Sequence, residues 1–323
     1  QSHTIVICGG ARTPIGHISR SLAGLPAPKL MALAVESAIE AVGVPKAEVD
    51  GLLLGWVGQD FGAPNVARVT LLNTGLPERS QAVTLQNNCI SSIEAVSMAA
   101  RFILAGEGEL YVAGGTESMS RLPYTIAGSR AAKELRSLET VKSKLGELLQ
   151  SETVRVVDSM EQGLTDPVKD INMAGTAEVC AQMHGITREA QDAYAHESFR
   201  RCVAGWKRGF YASHVKPVTV GVEAPFERDA YPFLREDLIA KPAKFGKAPA
   251  LFDNSAYRIA DFYRDFGKHM DGKVLTNGEK GTVSLFNSCG RSDGAAALIV
   301  ATEERAKTLR LPILAELKGF GYF

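Results

Sequence analysis

No stretch of this 323-residue chain is apolar over the roughly 18 to 20 residues that a bilayer-crossing helix needs, so no membrane span is expected. An excess of one charge is also missing. The 36 basic and 36 acidic residues cancel, which excludes a nucleic-acid backbone or an anionic membrane as the main partner and leaves any phosphate contact local. Cysteine is sparse: five, at positions 8, 89, 180, 202 and 289, an odd number with no C-x-x-C pair. That pattern excludes a disulfide framework and a zinc knuckle and points to a reducing, intracellular, cytoplasmic setting. No H-E-x-x-H or clustered ligand set is present, so no metal is implied. Gln1-Ser2-His3 carries no signal-peptide pattern, and the missing initiator methionine suggests a processed or trimmed start. Short repeats and low-complexity tracts are absent too.

What is present is a hydrophobic content of 45%, over a length at which one core usually divides. Two or more structural units are expected. Thr4 to Cys8 reads as a strand closed by Gly9 and Gly10, and Ala27 to Val42 has helical spacing. Gly51 to Val57 is an apolar run, Val66 to Asn73 a helix, Gln81 to Leu85 a strand, Ile90 to Leu104 a helix apolar on more than one face and so buried, and Leu110 to Ala113 a strand capped by Gly114 and Gly115. This alternation argues for an α/β layered fold whose mixed sheet is covered by helices on both faces. From 119 to 280 the pattern changes to charged stretches and scattered prolines, with an amphipathic helix Arg188 to Lys207 introduced by Thr187, as expected of an inserted loop domain. Ala224 to Lys273 lacks periodicity and reads as surface. Thr282 to Phe286 reads as a strand, Asp293-Gly294 as a turn, Ala295 to Ala301 as an apolar run, and Thr302 as the cap of a helix Glu303 to Leu309. The expected division is 1–118, then 119–280 inserted, then 281–311 returning to the first unit, and 312–323 beginning a further half-domain.

Cys89 stands where the strand Gln81 to Leu85 hands over to the helix that follows. A thiol reacts as its thiolate, and the open N–H groups and positive dipole end of a helix lower the cost of that charge. Asn87, Asn88, Ser91 and Ser92 surround it with polar groups, and strand ends of open α/β sheets are where ligands bind. Free cysteines are also among the commonest buried packing residues. Both a nucleophile and a core thiol fit the residues themselves.

Five ordered segments resemble the thiolase family. Ala11-Arg12-Thr13-Pro14-Ile15-Gly16 is similar to its A-R-T-P-x-G start, and Cys89-Ile90-Ser91 to its C-x-S nucleophile motif. Gly114 to Ser120 resembles G-G-x-E-S-M-S, Met173 to Glu178 resembles M-G-x-T-A-E, and Asn287 to Ala296 resembles N-A-S-G-x-N-D-G-A-A. The resemblance implies acyl exchange on coenzyme A, as thiolysis of 3-ketoacyl-CoA or condensation of acyl-CoA, through an acyl-Cys89 intermediate. Coenzyme A and acyl-CoA are then substrates and partners, with no separate cofactor, in lipid and fatty-acid metabolism, and the protein a homodimer or homotetramer.

The resemblance also nominates substrate-side residues. Met173 matches a methionine near the acyl pocket, although core filling is an equal use of that side chain. Asn172 precedes it where relatives carry histidine, a pantetheine contact. Cys289 replaces the serine of N-A-S-G, a coenzyme-A contact, while a thiol, the weaker hydrogen bonder, reads as a buried structural residue. Lys244, with Lys241 and Lys247 around Phe245, could meet nucleotide phosphates or form a solvated charge run.

The family's G-H-P histidine, its N-E-A-F or H-E-A-F loop and its C-x-G cysteine have no counterpart before Phe323, and the histidines at 3, 17, 184, 196, 214 and 269 offer no substitute motif. The 323 residues alone are therefore expected to be incomplete for catalysis, unless the protein continues beyond them. The rivals are a ketoacyl-synthase-like condensing enzyme and a non-catalytic acyl-CoA-binding or scaffolding protein.

Overall fold

The computed structural model describes residues 4–128, 132–152, 154–168, 170–251, 259–266 and 281–321. Gln1-Ser2, His3, His269, Phe323 and the parts of the 224–273 segment at 252–258 and 267–273 lie outside the described residues. Strands β1 (Ile5–Arg12), β2 (Gly16–His17), β3 (Gly51–Gly55), β4 (Gln81–Leu85) and β5 (Leu110–Ser118) come first. Then follow β6 (Tyr124–Ala127), β7 (Arg155–Asp158), β8 (Thr165–Asp166), β9 (Ile171–Asn172), β10 (Ser292–Thr302) and β11 (Ala315–Glu316). Seven of these make one mixed sheet in the order β11-β1-β10-β5-β3-β4, with β2 paired to β10. β3 is parallel to β4 and β5, whereas β10 is antiparallel to β1 and β5. The expected α/β architecture is what the chain adopts.

Alternation along the strands divides the core between the two faces of the sheet. Leu52 and Leu54 of β3 join Val6, Val112 and Ile299 under helices α1 (Ala27–Val42) and α2 (Val66–Asn73). Leu53 points the other way, with Ile5, Tyr111 and Val300, toward helix α3 (Ser91–Leu104). Each buried leucine or isoleucine contributes about 1.5–3 kcal/mol. α3 lays Ala95, Ala99, Ala100 and Ile103 on the sheet but leaves Ile93 69% and Leu104 53% exposed. The expectation of a helix buried all round is therefore corrected: Ala95, Ala99, Ala100 and Ile103 bring one side close to the strands, while Ile93 and Leu104 face outward.

Three expected strand ends are corrected as well. β1 runs on through Gly9 and Gly10 to Arg12, with a register shift between Ile7 and Gly9. β5 passes through Gly114 and Gly115 to Ser118, and β10 passes through Asp293 and Gly294. These glycines answer close approaches rather than turns. A Cβ on Gly114 would stand 2.0 Å from the Ala296 carbonyl oxygen, and one on Gly294 2.7 Å from Ile15 Cδ1. Thr282 to Phe286 is no strand; Ser284 makes one isolated bridge to Ala250 and a turn follows.

Among the described residues, 119–291 adds no strand to the main sheet. It holds the ribbons β6-β7 and β8-β9 and short helices around the long one, Arg188–Lys207, which Thr187 caps by accepting from the Ala190 N–H at 3.2 Å. One tie to the sheet is a backbone bridge, Arg12 N–H to the His214 carbonyl at 2.8 Å and Lys216 N–H to the Arg12 carbonyl at 2.9 Å, and another is a buried polar joint. Asp229 accepts two bonds from the Arg12 guanidinium, at 2.7 and 2.8 Å, one from the Ile15 N–H at 2.8 Å and one from Trp206 Nε1 at 3.2 Å. Among the described residues no helix is long and apolar enough to cross a membrane.

Candidate active site

Cys89 is exposed, in the short turn between β4 and α3, at the ends of the parallel strands. Packing is thereby removed as its reason for being there. Asn88 before it takes φ 48°, the left-handed region that asparagine tolerates better than other residues with a Cβ. Side chains fix this turn locally. Gln86 Oε1 accepts from the Asn88 N–H at 2.8 Å; Ser91 Oγ accepts from the Asn87 N–H at 2.8 Å and donates to the Asn88 carbonyl at 2.6 Å. α3 starts at Ser91 without a side-chain cap, so no side-chain acceptor occupies the N–H groups of its first turn.

Two glycines seat that first turn on the sheet. Gly55 of β3 and Gly115 of β5 are register partners, and a Cβ on either would collide with α3: 2.4 Å from the Ser91 carbonyl carbon and 2.0 Å from Ser92 Oγ. At Gly55 backbone meets backbone, and at Gly115 the sheet meets the Ser92 side chain, so a Cβ at either would push on the start of α3. Nearby, Glu117 Oε2 accepts from the N–H groups of Val57 and Gly58, at 3.2 and 3.1 Å, tying down the chain that leaves β3. Burial pushes the Glu117 carboxyl above the ordinary carboxylate range, against the pull of those two donors.

The nominated substrate-side residues fall on three separate segments. Asn172 is exposed and caps the helix Met173–His184, accepting from the Gly175 N–H at 2.9 Å. Met173 opens that helix at 41% exposure, which corrects the core-filling alternative. Lys244, like Lys241 and Lys247, is exposed on the turn Pro242–Lys247. Phe245 on the same turn is only 1% exposed and packs against His196, Phe199 and Phe286. Its ring is thus core of 119–291 rather than a free contact surface, and it corrects the reading of 224–273 as surface throughout. Cys289 is exposed, so the expectation of a buried structural thiol is also corrected.

The described histidines are engaged elsewhere. His17 stacks on Tyr231 with ring centroids 4.7 Å apart, and His196 Nε2 lies 2.8 Å from the Ile239 carbonyl oxygen. His214 sits edge-on to Tyr211, with burial holding it below the ordinary histidine value. His184 ends its helix. Among the described residues no histidine ring hydrogen-bonds Cys89, and no group of three or more His, Cys, Asp or Glu side chains could hold a metal.

Sequence reasoning missed Glu117, Glu178, Asp229, Arg235 and Tyr231. Their partners lie far along the chain, and the signal on offer was a carboxylate amid apolar spacing, as with Glu178 in Met173 to His184. Arg235 donates to the carbonyls of Leu285 and Phe286, and Tyr231 Oη to that of Arg291 at 3.1 Å.

Known proteins resemble the chain along nearly all of it. The family profile described as "Thiolase, N-terminal domain" matches residues 5–243. Bovine mitochondrial acetyl-CoA acetyltransferase is 33% identical over 316 residues, 98% of this chain and 65% of the bovine protein. Acetyl-CoA acetyltransferase of Cupriavidus necator is 33% identical over 318 residues, covering 98% and 70%. Human mitochondrial 3-ketoacyl-CoA thiolase in complex with CoA superposes with a TM-score of 0.78 at 26% identity, over 97% of this chain and 68% of the human one. The Bacillus anthracis acetyl-CoA acetyltransferase structure gives 0.78 at 27% identity, over 97% and 69%. The chain thus spans just under two thirds of the length of the mitochondrial relatives.

Proposed function

The chain belongs to the thiolase family, and on that premise we propose that it carries acyl groups of coenzyme A on Cys89. The observation that supports this most directly is the exposed thiol at the uncapped start of α3. The Cys89 thiolate adds to the thioester carbon of acyl-CoA, and the oxyanion formed needs donors aimed at it, for which the N–H groups of Ser92 and Ile93 are the candidates, that of Ser91 already donating to the Asn88 carbonyl at 3.1 Å. Collapse breaks the bond to the coenzyme-A sulfur and leaves an acyl-cysteine. Attack on it by a carbon nucleophile completes a condensation; attack by coenzyme A returns the acyl thioester, as in thiolysis.

Coenzyme A enters here as substrate, with no separate cofactor in the scheme. Met173, Asn172, Lys244 and Cys289 are the proposed contacts, each on an exposed position. Phe245 supports the turn that presents Lys244 rather than touching the ligand. The division into 1–118 with 281–311, an inserted 119–280 and a further unit from 312 is part of the same proposal, as are a homodimeric or homotetrameric state and a cytoplasmic, reducing compartment. Five free cysteines support that compartment, whereas relatives with mitochondrial names make the mitochondrion its competitor.

Brief exposure to acetyl-CoA followed by intact-mass and peptide analysis tests the reading. One acetyl group on Cys89 is expected, and none on Cys89→Ala. Turnover without an adduct on Cys89 would sink it. The engagement of His17, His196 and His214 elsewhere favours a second reading, binding of acyl-CoA without chemistry, whose signature is tight coenzyme-A binding and no adduct.

A further inference from the structure

Residues 282–291 carry Cys289, yet apart from the single bridge at Ser284 they have no ladder to hold them. Side chains from two helices, Met173–His184 and Arg188–Lys207, do much of that work. Glu178, 0% exposed on the helix that Met173 opens, accepts from the N–H groups of Thr282 and Val283, at 2.7 and 2.9 Å, and from Thr282 Oγ1 at 2.9 Å. Its fourth donor is Gln182 Nε2 at 3.1 Å. A buried carboxylate is costly unless donors surround it, and an apolar side chain would fill the same space without that cost. What the carboxylate adds is a grip on two backbone N–H groups that lack a strand partner.

The net extends from there. Asn287 Nδ2 donates to the Thr282 carbonyl and to Asp192 Oδ1, both at 3.0 Å. Asp192 Oδ2 accepts from Arg188 Nε at 2.8 Å, and the same guanidinium donates to the carbonyls of Ala248, at 2.8 Å, and Phe245, at 3.2 Å. One connected set of polar bonds, buried at Glu178 and part-buried from Asn287 to Arg188, therefore joins the segments that present Met173, Lys244 and Cys289.

We infer that Glu178 is a positioning residue for coenzyme-A binding, fixing these segments relative to one another without acting on the chemistry at Cys89. The inference rests on the acyl-CoA reading above. Glu178→Gln keeps the shape and one acceptor oxygen for the two backbone N–H groups, but the NH2 group in place of the other oxygen can no longer accept from Thr282 Oγ1 and Gln182 Nε2. In the full chain it is expected to raise the Kd for coenzyme A about tenfold, ~1.4 kcal/mol. Iodoacetamide should alkylate Cys89 at a rate within about twofold of the unmodified protein, while Cys289 is alkylated faster, a split that general loosening would not produce. Thr282→Val removes the hydroxyl, which donates to Glu178 Oε1 and accepts from Gln191 Nε2 at 2.8 Å, and leaves both backbone bonds; a two- to threefold rise in Kd is expected, and it decides the matter if Glu178→Gln does not fold. Unchanged coenzyme-A binding in a folded variant, or loss of Cys89 reactivity in step with binding, overturns the inference. Failure of the unmodified chain to bind coenzyme A overturns the acyl-CoA reading itself, and the inference with it.

Discussion

The sheet that carries Cys89 and the segment 119–291 beside it reach fixed geometry by different means. Around Cys89 the constraint is steric: Gly55 and Gly115 let the backbone of α3 rest on β3 and β5, and the turn needs only local bonds from Gln86 and Ser91. In 119–291 and its tie to the sheet the constraint is polar, with Glu178, Asp192 and Asp229 each gathering donors from distant parts of the chain. Close packing tolerates almost no added volume but is indifferent to pH. A carboxylate joint tolerates volume better and depends on its charge.

The sharpest way to break that contrast is to place the same methyl group in both regions. Gly115→Ala puts a Cβ 2.0 Å from Ser92 Oγ and 2.8 Å from the Gly55 carbonyl oxygen, and that carbonyl belongs to a central strand. A loss of about 3 kcal/mol in urea unfolding is expected, with altered alkylation of Cys89, because both the Gly55 carbonyl of β3 and Ser92 at the start of α3 must shift. Gly290→Ala creates a shorter clash on paper, 1.7 Å from Tyr231 Cζ, but a ring at the end of a side chain can swing away. The stability loss there should be smaller, about 1–2 kcal/mol, and confined to the contacts of Tyr231 with His17 and Arg291. Equal losses would remove the distinction.

Between those two in size stands Asp229→Asn. Burial alone would raise the Asp229 carboxyl, but Arg12, the Ile15 N–H and Trp206 outweigh it and hold the carboxyl below the ordinary range. A depressed folded value stabilises the protein above the unfolded pKa of about 3.9 and is lost as pH falls through the folded value. Asp229→Asn should therefore cost about 2 kcal/mol at neutral pH, with the gap from wild type closing below about pH 4. Glu117, on the sheet, has the opposite sign. Its folded value lies above the unfolded one, so it costs stability as pH rises through the folded value. Glu117→Gln should match wild type below about pH 4 and exceed it by up to about 1 kcal/mol at neutral pH, as read from unfolding midpoints across pH.

What could be read in advance follows the same divide. The bounds of α1, α2, β4 and Arg188–Lys207 agree with their periodicity, since Asn65 and Thr187 cap locally and the apolar spacing is local too. Gly9, Gly10, Gly114, Gly115 and Gly294 misled, because glycine read along the chain signals a turn. In the sheet each serves a neighbour; the carbonyl facing Gly114 belongs to Ala296. The thiol of Cys89 was legible as a position at a helix start. The net around Glu178 was not, because the N–H groups it accepts from lie more than 100 residues further on, at Thr282 and Val283.

The smallest expected effect tests whether a binding-side residue does more than fold the chain. Asn172 caps the helix Met173–His184 through the Gly175 N–H. Aspartate caps as well as asparagine does, so Asn172→Asp should leave stability within about 0.5 kcal/mol of wild type. The added charge sits at a favourable helix start, so folding gives no reason for a penalty. Coenzyme A, however, carries phosphate anions and an amide-rich arm, and a new carboxylate beside Met173 would repel the first and lose the amide donor offered to the second. A several-fold rise in the Kd for coenzyme A with stability intact would mark Asn172 as a ligand contact on the polar side of the molecule. Unchanged binding would return it to the role of a cap and leave Met173, Lys244 and Cys289 as the proposed contacts.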